Sequence, residues 1–343
     1  MGRFGRLFGR RRRLPSDADA LLRGALLSVL DRDLAEAERF LSRAVRADDG
    51  AVEPYLALGR LYRMRGEVGR AIQLHQNQLL RSDLNPEQTT LALVELAADF
   101  REGGFVARAI ATYEEVLARS PRHIEALQAL VALRAGDQDF EAAIELSRRL
   151  KKLEGESPRL AEAALRVEMA ERAAAEGRSD EARKALKRAL RRDPKSVRAW
   201  LALGLLEAER SRDRAALAAW SKVPEVDRRQ GPLVYPRLAA SYAALGRPRD
   251  FESHLRGLIK GEPGDPHARL ALARALAARG ELKAAEQVLR ELVALRPDDL
   301  EPRSALLRLR AGAIEDPDLA GDLEGLLETL ERQDLLRDWE KLA

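Results

Sequence analysis

The sequence predicts an all-α fold, a right-handed superhelical solenoid of about eight helix pairs. Three observations lead there. A small residue, usually Ala, recurs at a nearly constant interval along the 343 residues, glycines punctuate apolar stretches of helical spacing, and the composition favours helices. Hydrophobic residues make up 45% of the chain and aromatic residues only 4%. The commonest types, Ala, Leu, Arg and Glu, lose little on entering a helix, whereas sheets draw on β-branched and aromatic side chains. A stack of this kind has no single core, so chain length does not set the number of domains.

Taken in order, residues 1–15 form a basic tail. Arg3, Arg6, Arg10, Arg11, Arg12 and Arg13 stand there with no acid among them. Phe4, Leu7 and Phe8 can share a face, and basic-plus-apolar composition fits weak attachment to an anionic membrane surface. Arg3, Phe4, Arg6, Phe8 and the run Arg10, Arg11, Arg12 and Arg13 are the candidate contacts. Gly2, Gly5 and Gly9 count against a stable free helix, so a disordered solubilising tail is the competing expectation. Six of the 60 basic residues lie in this tail, and the other 54 are outnumbered by 56 acidic ones. The body is therefore close to neutral, which counts against nucleic acid as its partner.

Residues 16–312 carry the repeat. Its ruler is a small residue at the start of the second helix of each pair: Ala37, Ala71, Ala109, Ala143, Ala182, Ala216 and Ala285, with Phe251 in its place once. Successive intervals are 34, 38, 34, 39, 34, 35 and 34 residues, the period of the tetratricopeptide repeat. Each unit reads as two antiparallel helices. Gly66, Gly104, Gly177, Gly246 and Gly280 supply the left-handed residue that ends a first helix. The Ala that follows must be small because the helices approach closely there. Pro121, Pro194, Pro263 and Pro297 stop second helices, and Tyr62, Phe100, Tyr113, Trp200, Trp220 and Tyr242 pack within and between units. The two long intervals contain residues 82–88 and 154–158, enough for a longer turn or an extra helical turn. Residues 313–343 place Leu319, Leu323, Leu326, Leu327, Leu330, Leu335, Leu336 and Trp339 at helical spacing, as expected of capping helices that cover the last repeat.

Chemistry-bearing patterns are scarce. Cysteine is absent, which removes disulfides and thiolate chemistry. The four histidines, His75, His123, His254 and His267, do not pair at ligand spacing, and no phosphate loop or nucleophile elbow occurs. His75 occupies a packing position. No cofactor, metal or catalytic residue is expected, and no apolar run reaches the ~18–20 residues that span a bilayer. Binding falls instead to the first helices, which line the inner wall of such a stack. The expected groove residues are Arg60, Arg63 and Met64, then Val94, Ala98 and Arg101, then Leu201, Leu205, Glu209 and Arg274. Arg60 and Arg63 share a helix face and suit a carboxylate partner. Reversing both charges, Arg60→Glu with Arg63→Glu, is expected to weaken binding without unfolding the chain. The chaperone-type clamp is not reproduced, since Leu56 and Arg60 stand at its sites.

One stretch is more specific than a generic repeat. Leu58-Gly59-Arg60, Arg63-Met64-Arg65-Gly66-Glu67 and Arg70-Ala71-Ile72 leading to His75-Gln76 resemble the second repeat of the lipopolysaccharide assembly protein B family. The likeness continues through Pro86-Glu87-Gln88 and residues 96–100, and more weakly to about Leu330. The resemblance implies a non-enzymatic adaptor at the cytoplasmic face of the inner membrane, linking a membrane protease to a lipid A biosynthesis enzyme. The family begins with a transmembrane anchor and ends with a rubredoxin-like zinc ribbon bearing paired Cys-x-x-Cys motifs. This sequence has an arginine-rich start and no cysteine. The arginine run matches the basic flank that follows an anchor on the cytoplasmic side. The alternative is a generic cytoplasmic tetratricopeptide scaffold for an unrelated complex.

Overall fold

The computed structural model describes residues 18–47, 51–311 and 330, and every element among them is helical. The basic tail with Arg3, Phe4, Arg6, Phe8, Arg10, Arg11, Arg12 and Arg13 lies outside the described residues. So does the cap expected over 313–343, Leu330 apart. Two compact units are present, Met1–Ala161 and Glu162–Ala343. In the first, α1 (Ala18–Leu30) pairs with α2 (Leu34–Ala47), α3 (Glu53–Met64) with α4 (Val68–Leu79), α5 (Pro86–Glu102) with α6 (Val106–Arg119) and α7 (Ile124–Gly136) with α8 (Phe140–Leu153). The boundary falls inside α9 (Arg159–Ala175), most of which belongs to the second unit. That unit continues with α10 (Ser179–Arg192), α11 (Val197–Glu209), α12 (Asp213–Val226), a 3-10 helix (Arg228–Leu233), α13 (Tyr235–Ala244), α14 (Pro248–Gly261), α15 (Pro266–Ala278), α16 (Leu282–Leu295) and α17 (Leu300–Ala311).

The turns between paired helices repeat one geometry. Residues 32, 66, 104, 138, 177, 211, 246 and 280 all take positive φ, between 55° and 79°, and their spacing copies that of the ruler alanines. In each turn the amide one residue further on donates to the carbonyl five residues before it, as Glu67 N to Tyr62 O at 2.8 Å and Arg212 N to Glu207 O at 2.9 Å. These bonds use carbonyls that a helix end otherwise leaves unpaired. Five of the eight positions are Gly; Arg32, Gln138 and Ser211 hold the same conformation with a side chain.

The ruler residues sit where the paired helices touch: each of the seven alanines is fully buried, and Phe251 is 4% exposed. A second contact recurs sixteen residues apart, a first-helix Gly under a second-helix ring. A Cβ on Gly24 would meet the Phe40 ring at 2.5 Å, one on Gly59 the His75 imidazole at 2.3 Å, and one on Gly204 the Trp220 indole at 2.2 Å. The helix that follows each long interval, α5 or α9, has 17 residues against 12 in α3 and 13 in α7 and α11. The extra residues thus became an extra helical turn. Helices α6, α10, α14 and α16 each end two residues before Pro121, Pro194, Pro263 and Pro297. The proline carbonyls are not wasted: Trp200 Nε1 donates to Pro194 O at 2.9 Å and Arg269 Nε to Pro263 O at 2.7 Å.

Candidate partner-binding site

The strongest polar feature of the first unit lies between α3 and α5. Arg60 and Arg63 are three apart on α3, and Glu95 and Asp99 are four apart on α5, so each pair occupies one helix face. Helix α5 is started by a capping box, with Asn85 Oδ1 accepting from Gln88 N at 2.9 Å and Gln88 Oε1 accepting from Asn85 N at 3.1 Å. Arg60 Nε donates to Glu95 Oε1 at 2.6 Å, Arg63 Nη2 to Glu95 Oε2 at 2.9 Å, and Arg63 Nη1 to Asp99 Oδ1 at 2.5 Å. Behind them, His75 Nδ1 lies 2.5 Å from Asp99 Oδ2. A carboxylate only accepts, so this nitrogen carries the proton. Burial pushes the Glu95 carboxyl up, but the hydrogen bonds from Arg60 and Arg63 outweigh it and hold the group below its ordinary range.

The network is enclosed to different depths. The side chains of Glu95, Asp99 and His75 are at most 5% exposed, Arg63 is 20% exposed and Arg60 is 58% exposed. Arg63 is therefore a structural clamp, and it does not present its charge to an open groove. This geometry argues against the expectation that both arginines can be reversed without unfolding the chain: Arg63→Glu would set a third carboxylate beside two buried ones. Val94 is corrected too. It is 4% exposed and packs in a core cluster with Leu93, Tyr113, Leu127 and Leu130. Helix α5 is enclosed over residues 92–100, so Ala98 is buried as well.

Beside Arg60 an open groove of about 360 Å³ runs across α1, α3 and α5, with Leu22, Leu26, Val29, Ala57, Met64 and Leu91 in its lining. Leu26 is 61% and Met64 64% exposed, unusual for side chains of that kind. The groove is apolar, with Arg60 and Glu53 as its charged groups. The leucines of α1 were legible as a four-residue spacing but were not singled out from core positions.

The remaining expected residues do not join this groove. Arg101 is exposed in the last turn of α5. In the second unit, Leu201 packs partly against the core, Leu205 is 42% exposed, and Glu209 is exposed at the end of α11. Arg274 lies on α15 beside a separate cavity of about 280 Å³, where its Nη2 is 3.7 Å from Glu301 Oε1. That cavity is bounded by Tyr235, Phe251, His267 and Leu270. Among the described residues no group of three or more His, Asp or Glu side chains could hold a metal ion, and no helix is long and apolar enough to cross a membrane.

Residues 55–89, 167–223 and 242–309 match family profiles of the tetratricopeptide repeat. Over 229 residues the chain is 29% identical to lipopolysaccharide assembly protein B of Escherichia coli K12, a match that covers 67% of this chain and 59% of the relative. The protein of the same name from Haemophilus influenzae is 34% identical over 155 residues, 45% of this chain and 39% of its own length. The chain thus spans less than two thirds of the curated relatives it matches. Among solved structures, a tetratricopeptide repeat protein from Parabacteroides merdae is 17% identical with a TM-score of 0.42, covering 86% of this chain and 98% of that one. YrrB, described as having an unusual peptide-binding site, is 16% identical with a TM-score of 0.40, covering 57% and 93%. The chain is all-helical among the described residues, carries tetratricopeptide repeats over the three matched segments and is similar to lipopolysaccharide assembly protein B.

Proposed function

We propose that the chain is a non-catalytic adaptor that holds a partner protein in the α1/α3/α5 groove and acts in lipopolysaccharide assembly at the cytoplasmic face of the inner membrane. The observation that carries this reading is the open apolar wall of Leu22, Leu26, Val29 and Met64 with one cation, Arg60, beside it. An amphipathic helix can lay its apolar side into such a groove. The size fits one or two anchoring side chains, and a carboxylate on the partner could share Arg60, since Glu95 keeps Arg63 regardless. Similarity to proteins named for lipopolysaccharide assembly supports the pathway. By the same resemblance the partners would be a membrane protease and a lipid A biosynthesis enzyme.

Two measurements test this. Purification of the chain from native cells, followed by mass spectrometry, should recover one of those two partners. Reproducible recovery of an unrelated complex in their place overturns the pathway and leaves a general scaffold. Leu26→Glu combined with Met64→Glu should then reduce capture at least tenfold while helicity and melting temperature stay near the parent's, because both side chains are already in solvent. Undiminished capture would remove the groove from the mechanism.

A further inference from the structure

Helix α10 carries a row of cations that the repeat packing does not use. Lys184, Lys187, Arg188 and Arg191 are all exposed, and at 3.6 residues per turn they fall within an arc of about 100° along about 10 Å of axis. The neighbouring charges are already committed. Arg183 pairs with Glu207, Arg192 Nε lies 3.3 Å from Glu162 Oε1, Asp180 is bonded by Arg210 and Glu181 by Arg178. None of the four row residues makes an ion pair with a described residue. Lys184 helps to lower Asp180 from one turn away, after the larger effects of Arg210 and Arg212. The row thus gathers four positive charges on one helix face with no ion pair to a described residue. Its members also sit at three- and four-residue spacings, where like charges repel. Packing gives no reason for that repulsion, and an external anionic surface would relieve it.

We propose that Lys184, Lys187, Arg188 and Arg191 form an electrostatic contact for an anionic phospholipid surface. The row lacks what a protein interface needs: no large apolar side chain of α10 is exposed, and the nearest such residues in sequence are Leu160 and Leu205. Protein interfaces are anchored by apolar and aromatic groups and are depleted of charge at their centre. Nucleic acid fits less well. Single strands call for aromatic stacking platforms; α10 itself carries no aromatic residue, and Trp200, packed against its cluster, is engaged with Pro194 O at 2.9 Å. A headgroup layer asks only for charge density close to its plane. This contact stands apart from the adaptor reading, since a lipid vesicle contains no protein partner.

The test uses the full chain with its six tail arginines replaced by Gln, so that the tail cannot mask the row. Sedimentation with phosphatidylcholine vesicles, with and without phosphatidylglycerol, reads the binding. Each headgroup-proximal cation raises partitioning about fivefold, so the four together give several hundredfold. The tail-neutral chain should bind only the vesicles containing phosphatidylglycerol and be released by salt. Adding Lys184→Gln, Lys187→Gln, Arg188→Gln and Arg191→Gln should abolish that binding with an unchanged or raised melting temperature. Lys184→Arg with Lys187→Arg should retain it. The proposal is overturned if the tail-neutral chain ignores phosphatidylglycerol, if the four Gln substitutions leave binding intact, or if duplex DNA competes the chain away from vesicles at equal phosphate.

Discussion

Arg60 and Arg63 are three residues apart, yet their removal exposes different things. Losing Arg60 leaves Glu95 still bonded to Arg63, and the Arg60 side chain is more than half in solvent. Only the Arg60 end of this pair is exposed, and Arg63 still serves Glu95 after its loss, so Arg60→Glu should lower the melting temperature less than Arg63→Glu does. Losing Arg63 leaves Glu95 with Arg60 alone and Asp99 with the His75 imidazole alone, and both acids are enclosed. Breaking one side of a buried pair costs about 3–5 kcal/mol, and the reversed charge adds repulsion. Thermal melts of the two single variants should differ clearly, and equal effects would show that Arg63 does not clamp α5. Both arginines were legible as a shared face of α3. Their partners were not, because Glu95 and Asp99 look like ordinary solvated acids until α5 is known to be enclosed over residues 92–100.

The same carboxylate gives a pH dependence whose sign follows from its shift. Glu95 is held below its ordinary value, first against the push of burial and then by its two arginine partners. Its folded form therefore binds a proton less readily than the unfolded chain does. The stability it supplies is present above the usual Glu value of about 4.3 and is lost as pH falls through the lower, folded value. The wild-type melting temperature should drop more steeply below that pH than the melting temperature of Glu95→Gln. Parallel profiles would assign the acid sensitivity to other groups.

At the scale of one element, the helical hairpin sets two opposing expectations for glycine. Ser211 holds φ at 55° in a turn where five sister positions are Gly. A left-handed residue with a side chain costs about 1–2 kcal/mol, partly offset by the entropy Gly loses on folding. Ser211→Gly should accordingly raise the unfolding free energy by about 1 kcal/mol, and a fall would mean that the serine side chain supports the turn. Gly204 is the reverse case. Ala is the better helix former by about 1 kcal/mol, but its Cβ would lie 2.2 Å from the Trp220 indole, itself 4% exposed. Overpacking of about 1–3 kcal/mol outweighs the gain, so Gly204→Ala should destabilise in denaturant titrations. Turn glycines were readable from spacing alone. Two of the three first-helix glycines, Gly59 and Gly204, follow a leucine, but their purpose needs the ring sixteen residues later, a contact that sequence spacing does not announce.

Across the whole molecule, the periodic features were the legible ones: the ruler alanines, the hairpin turns and the prolines behind second helices all recur, so each copy reinforced the next. The groove was less legible because it is made by what the repeat leaves uncovered. Val94 shows why: its exposure depends on the neighbouring helices whose residues share its core cluster, and unit-to-unit analogy does not carry that information. Repetition also predicts how damage spreads. The first unit is held by clusters around Tyr113 and around Leu61, the second by clusters around Trp220 and around Leu186. In stacked repeats stability is close to a sum of unit and nearest-neighbour terms. Truncating Trp220 to Ala removes about 3–5 kcal/mol from its own cluster. Hydrogen exchange read by mass spectrometry should then show faster exchange across α11 to α14, while amides of α1 to α6 keep parental protection. Uniform loss of protection along the chain would instead make all the repeats one cooperative unit, and the energetic independence inferred from separate cores would fail.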